Sequence, residues 1–151
     1  MLLVGEAPGR HEDEAGLPFV GAAGRLLDTL LAEAELPRAS VAVTNVVKCR
    51  PPGNRKPARA EVATCTHWLE RQLEVLDPTV VCALGGTAAD WALGRRAVKI
   101  AHVRGAVLER DGRSLVVTYH PSAAIRFGPR GRPREGLAAD LRLVAAISGK
   151  A

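Results

Sequence analysis

Thr79-Val80-Val81-Cys82-Ala83-Leu84-Gly85-Gly86-Thr87 decides the fold. After Thr79 the run carries no polar residue until the glycine pair. A short segment that is apolar on both faces reads as a central strand of a parallel sheet, covered on each side by helices. Gly85-Gly86 turns the chain, and Ala88–Leu93 follows as a short helix closed by Gly94. The same unit recurs upstream. Leu2–Val4 is a short buried strand, followed by the Gly5–Gly21 loop and a helical pattern over Ala22–Leu36. That pattern places Leu26, Leu27, Leu30, Leu31 and Ala34 on one face, and Pro37 stops it. Val41–Thr44 is a second buried strand. Asn45–Pro57 is a proline-rich loop. Ala58–Leu76 is a second long helix with Val62, Cys65, Leu69, Leu73 and Leu76 inward.

Downstream, Val107–Arg110 and Ser114–Thr118 flank Asp111-Gly112-Arg113, a hairpin signal. The second arm is apolar enough to join the sheet. The chain then leaves it as a loop through Tyr119-His120-Pro121-Ser122, and Leu137, Leu141, Val144, Ala145 and Ile147 mark the last helix. This alternation predicts an α/β fold: a three-layer α/β/α sandwich around a mainly parallel, four-stranded sheet, in one domain over 1–151. Right-handed crossovers bring the strand ends after Val4, Thr44, Leu84 and Thr118 to one edge. The loops leaving those ends converge there, where open α/β sheets place their sites.

The bulk numbers fit a globular protein: 151 residues, 47% apolar and 25% charged. No apolar run approaches the roughly 20 residues of a membrane span, and Met1–Val4 leads straight into glycine and charge, so no membrane, no signal peptide and a cytoplasmic location are expected. The net charge of +5 suits a polyanionic partner. It concentrates in two stretches read as loops: Lys48, Arg50, Arg55, Lys56 and Arg59, then Arg126, Arg130, Arg132 and Arg134. Three cysteines without a secretion signal argue against a disulfide framework, and Cys82 reads as a core thiol. Only 3% of residues are aromatic, which makes Phe19 conspicuous among the loop's polar groups.

At the converged edge the candidate groups are Glu6, Glu12 and Asp13 from the first loop, Asn45 from the second, and His120 and Ser122 from the fourth, with Phe19 as a flat apolar surface. Each alone has a bland reading as a solvated, turn or loop residue. Together they suit a small planar polar ring: Phe19 to stack it, Asn45 to offer paired donor and acceptor, an acid and an imidazole for chemistry. There is no phosphate-binding Gly-x-x-x-x-Gly-Lys-Ser/Thr, no Gly-x-Ser-x-Gly, no full dinucleotide fingerprint, and no zinc-like His/Cys spacing.

Gly5-Glu6-Ala7-Pro8-Gly9 with Glu12-Asp13, Pro18-Phe19-Val20-Gly21, Thr44-Asn45-Val46-Val47-Lys48-Cys49-Arg50-Pro51-Pro52, and His120-Pro121-Ser122 resemble, in order and across almost the whole chain, the family 4 uracil-DNA glycosylases. The resemblance implies a base-excision repair enzyme that hydrolyses the N-glycosidic bond of deoxyuridine in DNA, acting as a monomer. It implies catalytic roles for Glu6 (water and sugar cation) and His120 (departing base). It also implies base contacts from Phe19, Asn45, Glu12 against a thymine methyl, and the Gly5–Ala7 backbone, with Ser122 in the same loop. Arg126, Arg55 and Lys56 would meet the DNA backbone. Family members carry a 4Fe–4S cluster on four cysteines. Cys49 and Cys65 match two of them, and the other pair, a Cys-x-x-Cys, falls upstream of the first strand, where this sequence begins. The expectation is either a start further upstream or a lost cluster, and the alternative function is a catalytically impaired DNA- or base-binding module of the same fold. Related proteins that attach covalently to DNA carry a Lys-Arg-Arg-Ile-His insertion. Gly53-Asn54-Arg55-Lys56-Pro57 lacks a histidine, which implies hydrolysis.

Overall fold

In the computed structural model, which describes residues 1–149, Val80–Leu84 forms β3 at the centre of the sheet. β1 (Leu2–Gly5) lies beside it and β2 (Ala42–Asn45) beyond, while β5 (Arg113–Thr118) flanks the other side with β4 (Val107–Arg110) at the edge. β2, β1, β3 and β5 all pair in parallel. The helices are α1 (Arg10–Ala15), α2 (Ala22–Glu33), α3 (Arg59–Leu76), α4 (Gly86–Ala92), α5 (Ile100–Val103), α6 (Pro121–Phe127) and α7 (Arg132–Ser148).

The two-residue period of the strands divides the core. Leu3, Cys82, Leu84 and Val116 face one layer, with Leu27, Leu30 and Leu31 of α2 and Leu137, Leu141 and Val144 of α7. Leu2, Val4, Val81, Ala83, Leu115 and Val117 face the other, with Leu69 and Leu73 of α3 and Ala88, Ala89 and Trp91 of α4. Cys82 is fully buried, and burial pushes its thiol pKa up, as a core thiol requires. None of the helices described is long and apolar enough to cross a membrane.

Several sequence expectations need correction. The sheet has five strands, because β4 pairs antiparallel to β5. Val107 and Glu109 of β4 are exposed, the pattern of an edge strand wetted on one face, so its weak apolar signal reflects position rather than exclusion from the sheet. The Gly5–Gly21 segment is not all loop: α1 sits inside it. The chain after His120 becomes α6, and the arginine-rich stretch is partly helical, with Arg126 in α6 and Arg132 and Arg134 in α7. α5 has too few residues to show a period.

Strand order sets the position of the site. From β1 the chain crosses to β2 on one side, whereas from β3 it proceeds to β5 on the other. The crevice at a reversal of this kind, outside the carboxyl ends of β1 and β3, is where such sheets bind ligands. Glu6 follows β1, and Gly85 follows β3.

Candidate active site

The β1–β2 ladder fixes the first pair of groups. Gly5 lies in register with Asn45, and pairing continues past both strands: Val46 N–H donates to the Gly5 carbonyl (2.9 Å) and Val47 N–H to that of Glu6 (2.9 Å). Asn45 is buried at 6% exposure, and its Oδ1 has no hydrogen-bond partner among the described residues. A buried carbonyl-type acceptor left without a donor is costly, so it marks a position awaiting one. A Cβ on Gly5 would lie 2.5 Å from both Asn45 Oδ1 and Phe19 Cζ. Only glycine lets the ring and the amide meet across the tip of β1.

Phe19 is buried and adopts φ 56°, an unfavourable left-handed angle for an aromatic residue. Its backbone rests on α2 at Gly24, where a Cβ would come within 1.8 Å of the Phe19 carbonyl oxygen. Glu12 holds the same loop from the other side. Its Oε1 accepts from Val20 N–H (3.0 Å) and Gly21 N–H (2.7 Å), and its Oε2 from Gly9 N–H (3.2 Å). Burial works to raise this carboxyl's pKa, but the amide bonds outweigh it and hold it low. Glu12 is therefore an ionised staple that fixes both flanks of Phe19, a task its spacing in sequence did not reveal.

The fourth loop brings His120, 5.6 Å from the Phe19 ring between centroids and tilted by 35°. His120 caps α6: its Nδ1 accepts the Ser122 backbone N–H (3.1 Å), with the Ser122 hydroxyl 2.8 Å from the same nitrogen. A nitrogen that accepts carries no proton, so the neutral ring is protonated at Nε2. Although the ring is only half-buried by surface, protein packs densely around it. That desolvation lowers its pKa to about 4, against the opposing pull of the Glu12 carboxylate. Ser122 thus acts on His120. Gly85, at φ 89°, lets the β3 turn approach, since a Cβ there would lie 2.9 Å from His120 Cβ.

Glu6, Ala7, Gly85, Gly86, His120 and Ser122 line a cavity of about 150 Å³. The Thr87 hydroxyl donates to Glu6 Oε2, which leaves Oε1 for another partner. Thr87 was not among the residues singled out in the sequence. Its signal was its place just after Gly85-Gly86 at the start of α4. Asn45 and Glu12 line a neighbouring cavity of about 280 Å³ with Thr44, Lys48 and Gln72. Lys48 Nζ donates to the Asn45 carbonyl (2.6 Å), Thr44 Oγ1 (2.9 Å) and Gln72 Oε1 (2.6 Å), and burial lowers its pKa to about 8 against an opposing effect of Cys65. Glu6, His120 and Ser122 thus line one cavity and Glu12, Asp13 and Asn45 the other; Phe19 lines neither, but its ring lies 5.6 Å from that of His120 and shares the space in front of Gly5 with the Asn45 amide.

The uracil DNA glycosylase superfamily model matches residues 1–142. This chain belongs to the uracil DNA glycosylase superfamily. It is 45% identical, over 83% of its length, to the type-4 uracil-DNA glycosylase of Thermotoga maritima, of which it spans 66%. It is 47% identical over 83% of its length to that of Pyrobaculum aerophilum, spanning 68% of that protein, and 42% identical over 99% to that of Archaeoglobus fulgidus, spanning 77%.

The remaining predicted residues of this superfamily member fall outside the two cavities. Arg126 is exposed on α6 between Ile125 and Phe127, two apolar side chains that are themselves 48% and 64% exposed. Arg55 forks onto Glu61 through Nη1 (2.8 Å) and Nη2 (2.7 Å), an ion pair that raises its own pKa and holds the Glu61 carboxyl well below its usual range. Its charge is already answered. Lys56 is exposed beside it with no ion-pair partner among the described residues. Cys49 and Cys65 line one cavity of about 290 Å³, Cys49 exposed and Cys65 half-buried. No three His, Cys, Asp or Glu side chains among the described residues are grouped to hold a metal ion. Two thiols are half the ligand set of a 4Fe–4S cluster, so the residues described do not by themselves make that site.

Proposed function

We propose that this protein is a uracil-DNA glycosylase that hydrolyses the N-glycosidic bond of deoxyuridine in DNA, releasing uracil and leaving an abasic site. The observation that carries the reading is the buried, partnerless Asn45 Oδ1, which shares the space in front of Gly5 with the Phe19 ring. A base reaches such a site only by leaving the DNA stack, at a cost of about a few kcal/mol. Phe19 receives the flipped ring. Asn45 Oδ1 accepts from uracil N3–H and its amide donates to O4. Cytosine presents the opposite pattern and would leave those groups unpaired. Lys48 donates to the Asn45 backbone carbonyl and so fixes the main chain that carries the amide.

The reaction forms a bond from water oxygen to C1′ and breaks C1′–N1, whose electron pair leaves on the uracil ring. Glu6, held at Oε2 by Thr87, directs Oε1 to the water and to the cationic sugar, and takes the water's proton. His120 offers Nε2–H to the uracil oxygen that gains negative charge; being neutral, it stabilises without protonating. Glu12 sets the loop that positions Phe19 and borders the C5 side of the base. Exposed Ile125 and Phe127 beside Arg126 suit the gap left in the stack, where apolar wedges are common. Cys49 and Cys65 would supply two thiolates of a structural cluster, and no step of hydrolysis runs through it.

Incubation with uracil-containing oligonucleotides, followed by alkaline strand cleavage, tests this reading. Glu6→Gln, Asn45→Ala and His120→Ala should each stay folded and lose release, with Asn45→Ala down about 5- to 150-fold, the equivalent of about 1–3 kcal/mol for an unmade buried hydrogen bond. Wild-type protein that leaves uracil in both single- and double-stranded DNA would falsify it.

A further inference from the structure

Lys56, Arg59, Arg95 and Arg96 line a groove of about 460 Å³ between the start of α3 and the end of α4. The one carboxylate among the described residues that line it, Asp90, accepts the Val98 N–H at Oδ1 (2.9 Å). None of the four cations forms an ion pair among the described residues, in contrast to neighbouring Arg55. The Arg95–Arg96 segment is shaped rather than loose. Arg95 N–H bonds the Asp90 carbonyl (3.2 Å), Asp90 clamps Val98, and Ala97 is held at φ 53°, a left-handed angle that a β-carbon residue rarely adopts. The strained turn leads into Val98, which packs against the core, and leaves Arg95, Arg96 and Ala97 exposed. Its effect is to present two guanidinium groups on the groove wall.

One residue links the groove to the candidate active site. Thr87 lines it, and the hydroxyl of the same residue bonds Glu6. A strand whose flipped nucleotide lies against Glu6 can run from Thr87 along the length of α4, about 10 Å, to Arg95 and Arg96, beyond the phosphates that adjoin that nucleotide.

We propose that the groove is a phosphate track, in which Arg95 and Arg96, with Arg59 and Lys56 opposite, hold the phosphodiester backbone further along the strand, beyond the phosphates that adjoin the flipped nucleotide. This rests on the uracil-DNA reading and extends it to a second DNA-contacting element, formed by the turn after α4. Guanidinium forks match phosphate oxygens in pairs, and each phosphate neutralised releases a bound counterion.

The test is the salt dependence of binding to a long duplex, followed by fluorescence anisotropy with the full chain. R95Q/R96Q should flatten the slope of log K against log salt by about 0.9 for each phosphate that the variant no longer neutralises. R95K/R96K should keep the wild-type slope. Uracil release from a trinucleotide, too short to enter the groove, should be unchanged in both variants. A wild-type slope in folded R95Q/R96Q overturns the track, as does an equal loss of release from the trinucleotide and the long substrate. Wild-type protein that shows the Arg95/Arg96-dependent slope but releases no uracil removes the activity and leaves the track standing.

Discussion

At the scale of single residues, His120 decides the behaviour of the site in acid. An ordinary imidazole takes its proton near 6.5, whereas desolvation holds this one neutral down to about 4. A second proton would also have to settle on Nδ1, which accepts from Ser122. Uracil release should therefore show no histidine inflection as pH falls through 6.5, and its acid limb from this group should lie near 4, measurable as kcat/KM against pH. Stability runs in the same direction. Below 6.5 the unfolded chain binds a proton on His120 that the folded chain refuses, so stability is lost as pH falls from 6.5 towards 4. Urea midpoints measured across that window should fall less steeply for His120→Ala than for wild type. His120, Glu6, Phe19 and Asn45 were legible in the sequence, because each sits at a strand end or in a shaped loop. The Ser122 cap, the Thr87 bond to Glu6 and the Glu12 staple were not, because each depends on side-chain geometry that spacing does not encode.

At the scale of elements, the long periodic segments were legible and the short ones were not. The full run of β3 and the apolar face of α2 announce themselves, as does that of α3 except at its last residue, where Leu76, expected inward, is 51% exposed. α1 and α6 span too few residues for a period to emerge, and β4 carries only an edge strand's half pattern. The contact of α2 with the Phe19 turn also lies beyond pattern. Gly24 is a helix-interior glycine, and by propensity alone Gly24→Ala should stabilise α2 by about 1 kcal/mol. The added Cβ would instead stand 1.8 Å from the Phe19 carbonyl oxygen, a backbone atom with no rotamer to escape into. Sterics win over propensity here. Gly24→Ala should lower the thermal midpoint and, by displacing Phe19, cut uracil release more than its stability loss accounts for. A variant as stable as wild type with full release would show that the α2–loop contact does not position Phe19.

At the scale of the whole molecule, the last helix ties the second half of the sheet to the site. Asp140 lies on the buried face of α7 at 1% exposure. Its carboxylate takes a forked pair from Arg104, Nε to Oδ2 at 2.9 Å and Nη2 to Oδ1 at 2.8 Å, and Nη2 also donates to the Gly136 carbonyl at 3.0 Å. The guanidinium sits over the Tyr119 ring, 5.9 Å from its centroid, and Tyr119 immediately precedes His120. Gly136 makes room for this stack, since a Cβ there would be 2.8 Å from Tyr119 Cε2 and 2.9 Å from Arg104 Nε. The chain after α5, α7 and the residue before His120 are thus joined at one buried ion pair. Removing one partner strands the other, at a cost of about 3–5 kcal/mol for a fully buried pair. The Arg104 side chain keeps 26% of its surface in water, so Asp140→Ala should fall at the lower end, about 3 kcal/mol by denaturant unfolding. Replacing both partners with apolar residues, Arg104→Met with Asp140→Leu, leaves no stranded charge. That double variant should be more stable than Asp140→Ala alone. If it is equally destabilised, the loss lies in packing rather than in an uncompensated charge, and the ion pair is not what holds α7 to Tyr119.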